Sequence, residues 1–130
     1  MILQERIELL CRLGQYISSN SEEWLDTKER AYNQNQWFVP EFIESATQNI
    51  AQHFLIEQAL KDWAAKYHIS TAPINPLQIG IVMAGNIPLV GFHDLLCVFV
   101  SGHYAVVKVS SKDEVLMKHL VKKMYEWDVR

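Results

Sequence analysis

Residues 78–111, QIGIVMAGNIPLVGFHDLLCVFVSGHYAVVKVSS, decide the fold of this chain. Apolar runs at residues 77–83 and 104–109 predict two β-strands. The apolar segment 88–101 between them predicts a buried helix, and Gly102 suits the position just after a helix end. With a further helix after the second strand, the order is β-α-β-α, the unit from which doubly wound parallel sheets are built.

The second strand is apolar on consecutive residues, which favours burial on both faces and therefore a parallel sheet. Ser111 and Glu114 have the spacing of a capping box at the start of the last helix, and Asn20 and Glu23 have it before an earlier one. Two parallel strands are fewer than the roughly four to six of a stable open sheet. We therefore expect either a fragment of a longer chain or a protomer that completes its sheet by association.

The chain before this unit is predicted to be helical. In residues 1–69 apolar side chains recur at helical spacing, and Pro40 suits the first turn of one of the helices. Two prolines in residues 70–76 forbid continued helix, so this segment predicts a linker. Residues 77–130 then form a separate α/β region.

Composition places the chain among ordinary globular proteins. Its 130 residues are 49% apolar and 21% charged, and the net charge of −3 gives no electrostatic reason to expect nucleic acid as a partner. The opening MILQERIELL lacks the apolar block of a signal peptide, and no apolar run reaches the ~20 residues of a membrane span. Cys11 and Cys97 lie far apart on apolar helical faces, which predicts free thiols in a reducing cytoplasm.

Asn86 is a single amide between the first strand and the buried helix. In a β-α-β unit ligands bind where the strands end, and free helix N–H groups there favour anions. Asn86 is therefore a candidate site residue, although an asparagine can equally serve a turn by bonding to the backbone. Gly80, Gly85 and Gly91 are too widely spaced for the glycine fingerprint of dinucleotide-binding proteins.

Lys108 is the only charged residue of the second strand and is expected at the same edge of the sheet as Asn86. A lysine among valines either extends its ammonium to water or points it at a ligand hydroxyl or phosphate. Ser110 and Ser111 follow with hydroxyls and backbone amides that suit such a ligand. Ser111 has the alternative role of a plain helix cap.

His93 and Asp94 resemble a pair of metal ligands, but the other histidines offer no short ligand spacing, so no metal site is predicted. Cys97 shares the buried helix with His93. The pair predicts packing rather than catalysis, since no nucleophile-elbow motif is present.

The run GIVMAGNIPLVGFHDLLCVFVSGHYAVVKVSSKD, residues 80–113, resembles a segment of aldehyde dehydrogenases. In that segment a strand, a turn with asparagine and proline, a buried helix ending in glycine and a strand ending in lysine follow one another. The run is most similar to the acyl-CoA reductase branch, the LuxC-like fatty-acid reductases, which WFVPEFI at residues 37–43 also resembles. The resemblance implies that residues 77–130 begin a Rossmann-like, nicotinamide-cofactor-binding sheet of the aldehyde dehydrogenase type.

The resemblance also implies roles for single residues. Asn86 falls on the asparagine that helps to hold the oxyanion of a thiohemiacetal intermediate, a role that suits an amide because it donates without titrating. Pro88 falls on the proline of the turn. Lys108 falls on the lysine that hydrogen-bonds the adenosine ribose of the cofactor, and Ser110 lies next to that contact.

Two departures from the family pattern affect the implied cofactor site. Gly85, which with Ala84 lies beside that site, replaces a tryptophan common in aldehyde dehydrogenases. Ser111 stands where many NAD-using members have a glutamate that grips the ribose hydroxyls. The loss of that charge favours NADPH, with NADH as the other possible cofactor.

The family's catalytic cysteine belongs to a separate domain, and neither Cys11 nor Cys97 matches it. The resemblance therefore implies the N-terminal part of a cytoplasmic, homo-oligomeric oxidoreductase. The complete enzyme would convert a fatty acyl thioester such as acyl-CoA to an aldehyde, and the 130-residue chain alone would be inactive. The alternative is a truncated or stand-alone α/β interaction module whose exposed strand edge drives self-association.

Overall fold

α-Helices predominate in the part of the chain that the structure, a computed structural model, describes: residues 1–72 and 75–128. Four helices come first: α1 (Leu3–Ile17), α2 (Glu22–Gln34), α3 (Pro40–His53) and α4 (Glu57–Lys66). They are followed by β1 (Gln78–Val82), α5 (Phe92–Val100), β2 (Tyr104–Lys108), a 3₁₀ turn (Ser111–Asp113) and α6 (Glu114–Trp127). The predicted α/β order, helices first and then β-α-β-α, is confirmed at this coarse level.

The first helix, α1, is central to the packing. Its Leu10 and Leu13 are buried, and the helix contacts α3, α4, α5 and α6. Gly14 allows a close approach to the α3–α4 junction, because a Cβ at this position would lie 2.8 Å from the Cβ of Leu55. The same core includes Leu120 of α6, so the helical region and the β-α-β-α unit share one hydrophobic core.

β1 and β2 pair in parallel, which confirms the predicted strand direction. Gln78 lies opposite Tyr104, and Val82 lies opposite Lys108. Beyond the last pair, the Met83 N–H donates to the Lys108 carbonyl oxygen at 3.0 Å. The carboxyl ends of both strands therefore meet at one edge of the sheet.

Residues 1–72 and 75–128 cover only one face of the sheet, which corrects the expectation that β2 is buried on both faces. Ile81 is buried, whereas Val82, Tyr104 and Val106 are 83%, 60% and 57% exposed. Successive side chains of a strand point to opposite faces, so the apolar run of β2 is divided between a covered face and an open one. α5 packs against the sheet, while the open face is left to solvent.

α5 begins at Phe92 rather than at residue 88. Leu89 has a left-handed backbone with φ of 58°, and a left-handed residue cannot continue into a right-handed helix. Residues 88–91 therefore form a turn. At the other end of α5, Gly102 has φ of 86°, which confirms its predicted place beyond the helix.

Both predicted capping boxes are wrong. The side chain of Ser21, not that of Asn20, caps α2. A 3₁₀ turn follows β2, and its cap is Ser110 rather than Ser111. α6 therefore begins only at Glu114, and Ser111 lies within the 3₁₀ turn instead of capping that helix.

Two predicted segments lie partly outside the described residues. The linker at 70–76 includes residues 73–74, and the α/β region at 77–130 includes residues 129–130, so the division into two regions stays a prediction. Among the described helices, none combines the length and the apolar character needed to cross a bilayer.

Candidate functional site

The loops that leave the carboxyl ends of β1 and β2 touch each other. Gly85 in the first loop is buried against Ser110 in the second. A Cβ on Gly85 would overlap the Oγ of Ser110 and lie 2.6 Å from its Cβ, so a larger residue fits only if a loop moves. Ala84, next to Gly85, is exposed. The position that the resemblance assigns to a tryptophan is therefore one at which the two loops are in close contact.

Asn86 is exposed at this edge, and its side chain forms no hydrogen bond with the described residues. The backbone N–H groups of residues 84–87 likewise donate to no carbonyl in that part of the chain. The alternative role for Asn86, a turn residue that satisfies backbone groups, therefore has no hydrogen bond to support it. The side-chain amide and the adjacent N–H groups are available to donate to a ligand.

Lys108 ends β2 on the open face of the sheet, opposite Val82. Its side chain is exposed and takes part in no ion pair of residues 1–72 and 75–128. The structure thus brings Lys108 and Asn86 to the same edge, as the β-α-β order predicts, with both polar groups open to solvent.

The loop after β2 is held by the end of α2. The Nε2 of Gln34 donates to the Ser111 carbonyl at 2.8 Å, and the Nδ2 of Asn35 donates to the Lys112 carbonyl at 3.0 Å. The Oγ of Ser110 accepts from the Lys112 N–H at 3.2 Å, while Ser111 is exposed. The two α2 contacts join residues 77 positions apart, so no local pattern marks them in the sequence.

Asp113 is the residue of this region that sequence reasoning missed. It is 2% exposed, and its Oδ2 accepts a hydrogen bond from the Leu89 N–H at 2.7 Å. Its Oδ1 is buried without a partner in the described chain. Burial, partly offset by the Leu89 N–H, raises the pKa of Asp113 to about 7. One signal was present, since an aspartate directly before Glu114 has a residue type favoured at a helix N-cap.

Two cavities adjoin the β-α-β unit. One of about 230 Å³ lies between α3 and the turn after Asn86, with Phe54 and Leu89 in its walls. The other, of about 330 Å³, lies at the amino ends of the strands beside His103 and Tyr104. Ile87 and Pro88, which directly follow Asn86, line the smaller cavity, but Asn86, Lys108 and Ser110 do not.

The Sγ of Cys97 lies 3.9 Å from the Nδ1 of His93 on α5. Burial and the nearby Asp94 raise the pKa of Cys97, which keeps the thiol protonated and suits packing rather than attack on a substrate. Cys97 and Cys11 are both free and half-buried. Within the described residues, no three histidine, cysteine or acidic side chains are grouped so as to hold a metal ion.

Comparison with known proteins adds no relative: no family model, no curated protein and no solved structure matches the chain. The carboxyl edge of the sheet is therefore the candidate site. That edge presents an unbonded amide at Asn86, an exposed lysine at Lys108 and two loops in contact at Gly85.

Proposed function

We propose that the chain is the N-terminal part of an NADPH-dependent acyl-CoA reductase of the LuxC-like branch of the aldehyde dehydrogenase superfamily. The observation that carries this proposal is the free side-chain amide of Asn86 at the carboxyl edge of a parallel strand pair, with Lys108 ending the neighbouring strand. Ligands of parallel α/β sheets bind at this edge. Asn86 and Lys108 are also among the residues that carry the sequence resemblance.

The residues at this edge fit a nicotinamide dinucleotide. Lys108 has an exposed ammonium that can donate to ribose hydroxyls, and the free N–H groups of residues 84–87 are suited to phosphate. Gly85 places backbone, with no side chain, between the two loops. Bound NADPH would supply the hydride for the reduction.

Ser111 sets the choice between NADPH and NADH in this proposal. Its side chain is exposed beside the loop contact and carries no charge. A glutamate at this position would accept hydrogen bonds from the ribose hydroxyls but would repel a 2′-phosphate. A serine tolerates that phosphate, which favours NADPH.

Asn86 acts after the acyl group has moved from its carrier thiol to a cysteine supplied by another part of the enzyme. Attack by that cysteine thiolate releases the carrier thiol and leaves a thioester on the cysteine. Reduction of this thioester places negative charge on the former carbonyl oxygen, and the Asn86 amide donates a hydrogen bond to it. Collapse of the adduct then releases the aldehyde and restores the thiolate.

Substitution of Asn86 in the complete enzyme tests this role. Asn86→Ala removes the donor, and Asn86→Asp keeps the shape but has no N–H to donate. We expect either change to lower kcat/KM for the thioester roughly a hundredfold, because one oxyanion donor contributes about 3 kcal/mol. NADPH affinity should be unchanged in Asn86→Ala, which adds no charge near the phosphates. Wild-type turnover in the alanine variant would rule the assignment out.

A second candidate, favoured by the open face of the sheet, is a non-catalytic module that binds a second copy of itself. Val82, Tyr104 and Val106 place apolar surface on that face. Within the described chain each strand also has a neighbour on one side only, and an unpaired strand edge favours pairing with another chain.

Sedimentation at high micromolar concentration tests self-association. The wild type should sediment as a dimer, and Val106→Lys should sediment as a monomer because the new charge would be buried in the contact. Leu25→Lys is the matched control, since Leu25 is an apolar residue of α2 that is 46% exposed and lies outside the sheet. A monomeric wild type would exclude this candidate.

A further inference from the structure

Asp113 does not act as its position in the chain predicts. An aspartate at a helix N-cap usually accepts a hydrogen bond from the N–H groups of its own first turn. Asp113 is the N-cap of α6 but makes no such bond. Its Oδ2 instead accepts from the N–H of Leu89, which is 24 residues earlier in the chain. The Asp113 carboxyl therefore bonds to the turn that follows Asn86 and not to the first turn of α6.

That turn has an uncommon backbone conformation. Leu89 is 3% exposed and has φ of 58°, a left-handed conformation that persists in a leucine only where its surroundings fix it. Gly91, at the end of the turn, packs tightly on Met83, because a Cβ on Gly91 would lie 2.6 Å from the Met83 Cγ. Packing and the hydrogen bond that the Leu89 N–H donates to Asp113 together fix the turn.

We propose that Asp113 is a positioning residue, whose buried carboxyl holds the turn at residues 88–91 and thereby places Asn86 at the edge of the sheet. The hydrogen bond between the Asp113 carboxyl and the Leu89 N–H, called the clamp below, does not depend on the proposed function. The consequence for catalysis rests on the function proposed above for Asn86.

The two oxygens of the Asp113 carboxyl are in unlike surroundings, which makes the clamp sensitive to pH. Oδ2 accepts from the Leu89 N–H, but Oδ1 is buried without a partner in the described chain. An ionised oxygen that lacks a donor is unfavourable inside a protein, and burial raises the pKa of Asp113 to about 7. Protonation then removes the charge that strengthens the bond to Leu89, so the turn is held less firmly below neutral pH.

Neighbouring charges do not control this titration. The loop at residues 83–91 has no titratable side chain. The elements that adjoin Asp113 carry these charged or titratable groups: His93, Asp94 and Cys97 on α5, Tyr104 and Lys108 on β2, Lys112 in the 3₁₀ turn, and Glu114, Lys118, His119, Lys122, Lys123, Tyr125 and Glu126 on α6. The shift in the pKa of Asp113 nevertheless arises from burial and from the Leu89 N–H, not from any of these groups.

The sign of the effect on stability follows from the raised pKa of Asp113. Between the ordinary value of 3.8 and the value of about 7 in the fold, the folded chain holds a proton that the unfolded chain has lost. Raising the pH through this window therefore increases the unfolding equilibrium constant, by at most about tenfold per pH unit. Above the folded-state pKa of about 7, Asp113 causes no further increase in the unfolding equilibrium constant. Asp113→Asn, whose amide oxygen can still accept from the Leu89 N–H, should remove this contribution.

NMR spectroscopy of the isotope-labelled chain between about pH 5 and pH 9 tests the proposal. We expect the Asp113 carboxyl signal and the Leu89 amide signal to titrate together, with the Asn86 side-chain signals following the same midpoint. In Asp113→Asn the Leu89 and Asn86 signals should not titrate. Asp94→Asn is the matched control, because Asp94 is an exposed carboxylate on the first turn of α5 and its loss should change none of these midpoints.

A Leu89 amide that does not titrate with Asp113 would overturn the proposal, as would Asn86 signals that still titrate in Asp113→Asn. If Asp113→Asn does not fold, the titration of the wild type alone decides the outcome. Since no step uses NADPH or a thioester, this experiment can fail while the kinetic test of Asn86 succeeds, and the reverse also holds.

Discussion

Gly85 is the residue on which the geometry of the candidate site depends most directly. A side chain there would overlap Ser110, so the loops after β1 and β2 can meet only because the position is a glycine. Gly80 in the middle of β1 provides the contrast, since a Cβ at that position would have nothing within 4 Å.

Gly85→Ala should destabilise the chain, whereas Gly80→Ala should not. Overpacking at residue 85 is expected to reduce the free energy of unfolding by about 1–3 kcal/mol. At residue 80 alanine should increase it by roughly 0.5–1 kcal/mol, because glycine loses more conformational freedom in a strand. Urea unfolding of both variants checks the prediction, and equal changes in the two would contradict the close approach of the loops.

The sequence predicted that Asn86 and Lys108 lie at one edge of the sheet, because each residue lies at or just beyond the carboxyl end of a predicted strand. Sequence reasoning missed Asp113, since the partner of that carboxyl is a backbone N–H 24 residues earlier. The residue type of Asp113 suggested a cap for its own helix. Only the fold shows that the carboxyl is turned away from α6 towards Leu89.

Among the elements, helix and strand identities were predictable, as were the starts of α3 at Pro40 and β2 at Tyr104, but the start of α5 was not. The apolar content of residues 88–101 is that of a continuous helix, yet α5 begins only at Phe92 because Leu89 is left-handed. The opposite end of α5 depends on another distant contact, in which the Nε and Nη2 of Arg6 donate to the Val100 carbonyl at 3.2 and 3.0 Å. Contacts of this kind join residues from different elements, so a local pattern does not reveal them.

At the scale of the whole molecule, the parallel sheet was predictable but its open face was not. Consecutive apolar residues in β2 are typical of a strand covered on both sides. The pattern cannot show whether a covering layer is present, and in the described chain Tyr104 and Val106 remain exposed. The apolar open face and the polar carboxyl edge are therefore adjacent features of one sheet, one suited to a partner surface and the other to a small ligand.

Binding of a nicotinamide dinucleotide at this carboxyl edge can be measured directly by NMR titration of the isotope-labelled chain with millimolar NADPH. We predict weak, saturable shifts of the amide signals of residues 84–87 and 110–112. The shifts should be smaller with NADH and smaller in Lys108→Ala, but unchanged in Lys66→Ala, a control at an exposed lysine of α4. Signals that do not move at this edge, or that move only beside the larger cavity near His103, would show that the edge does not bind the cofactor.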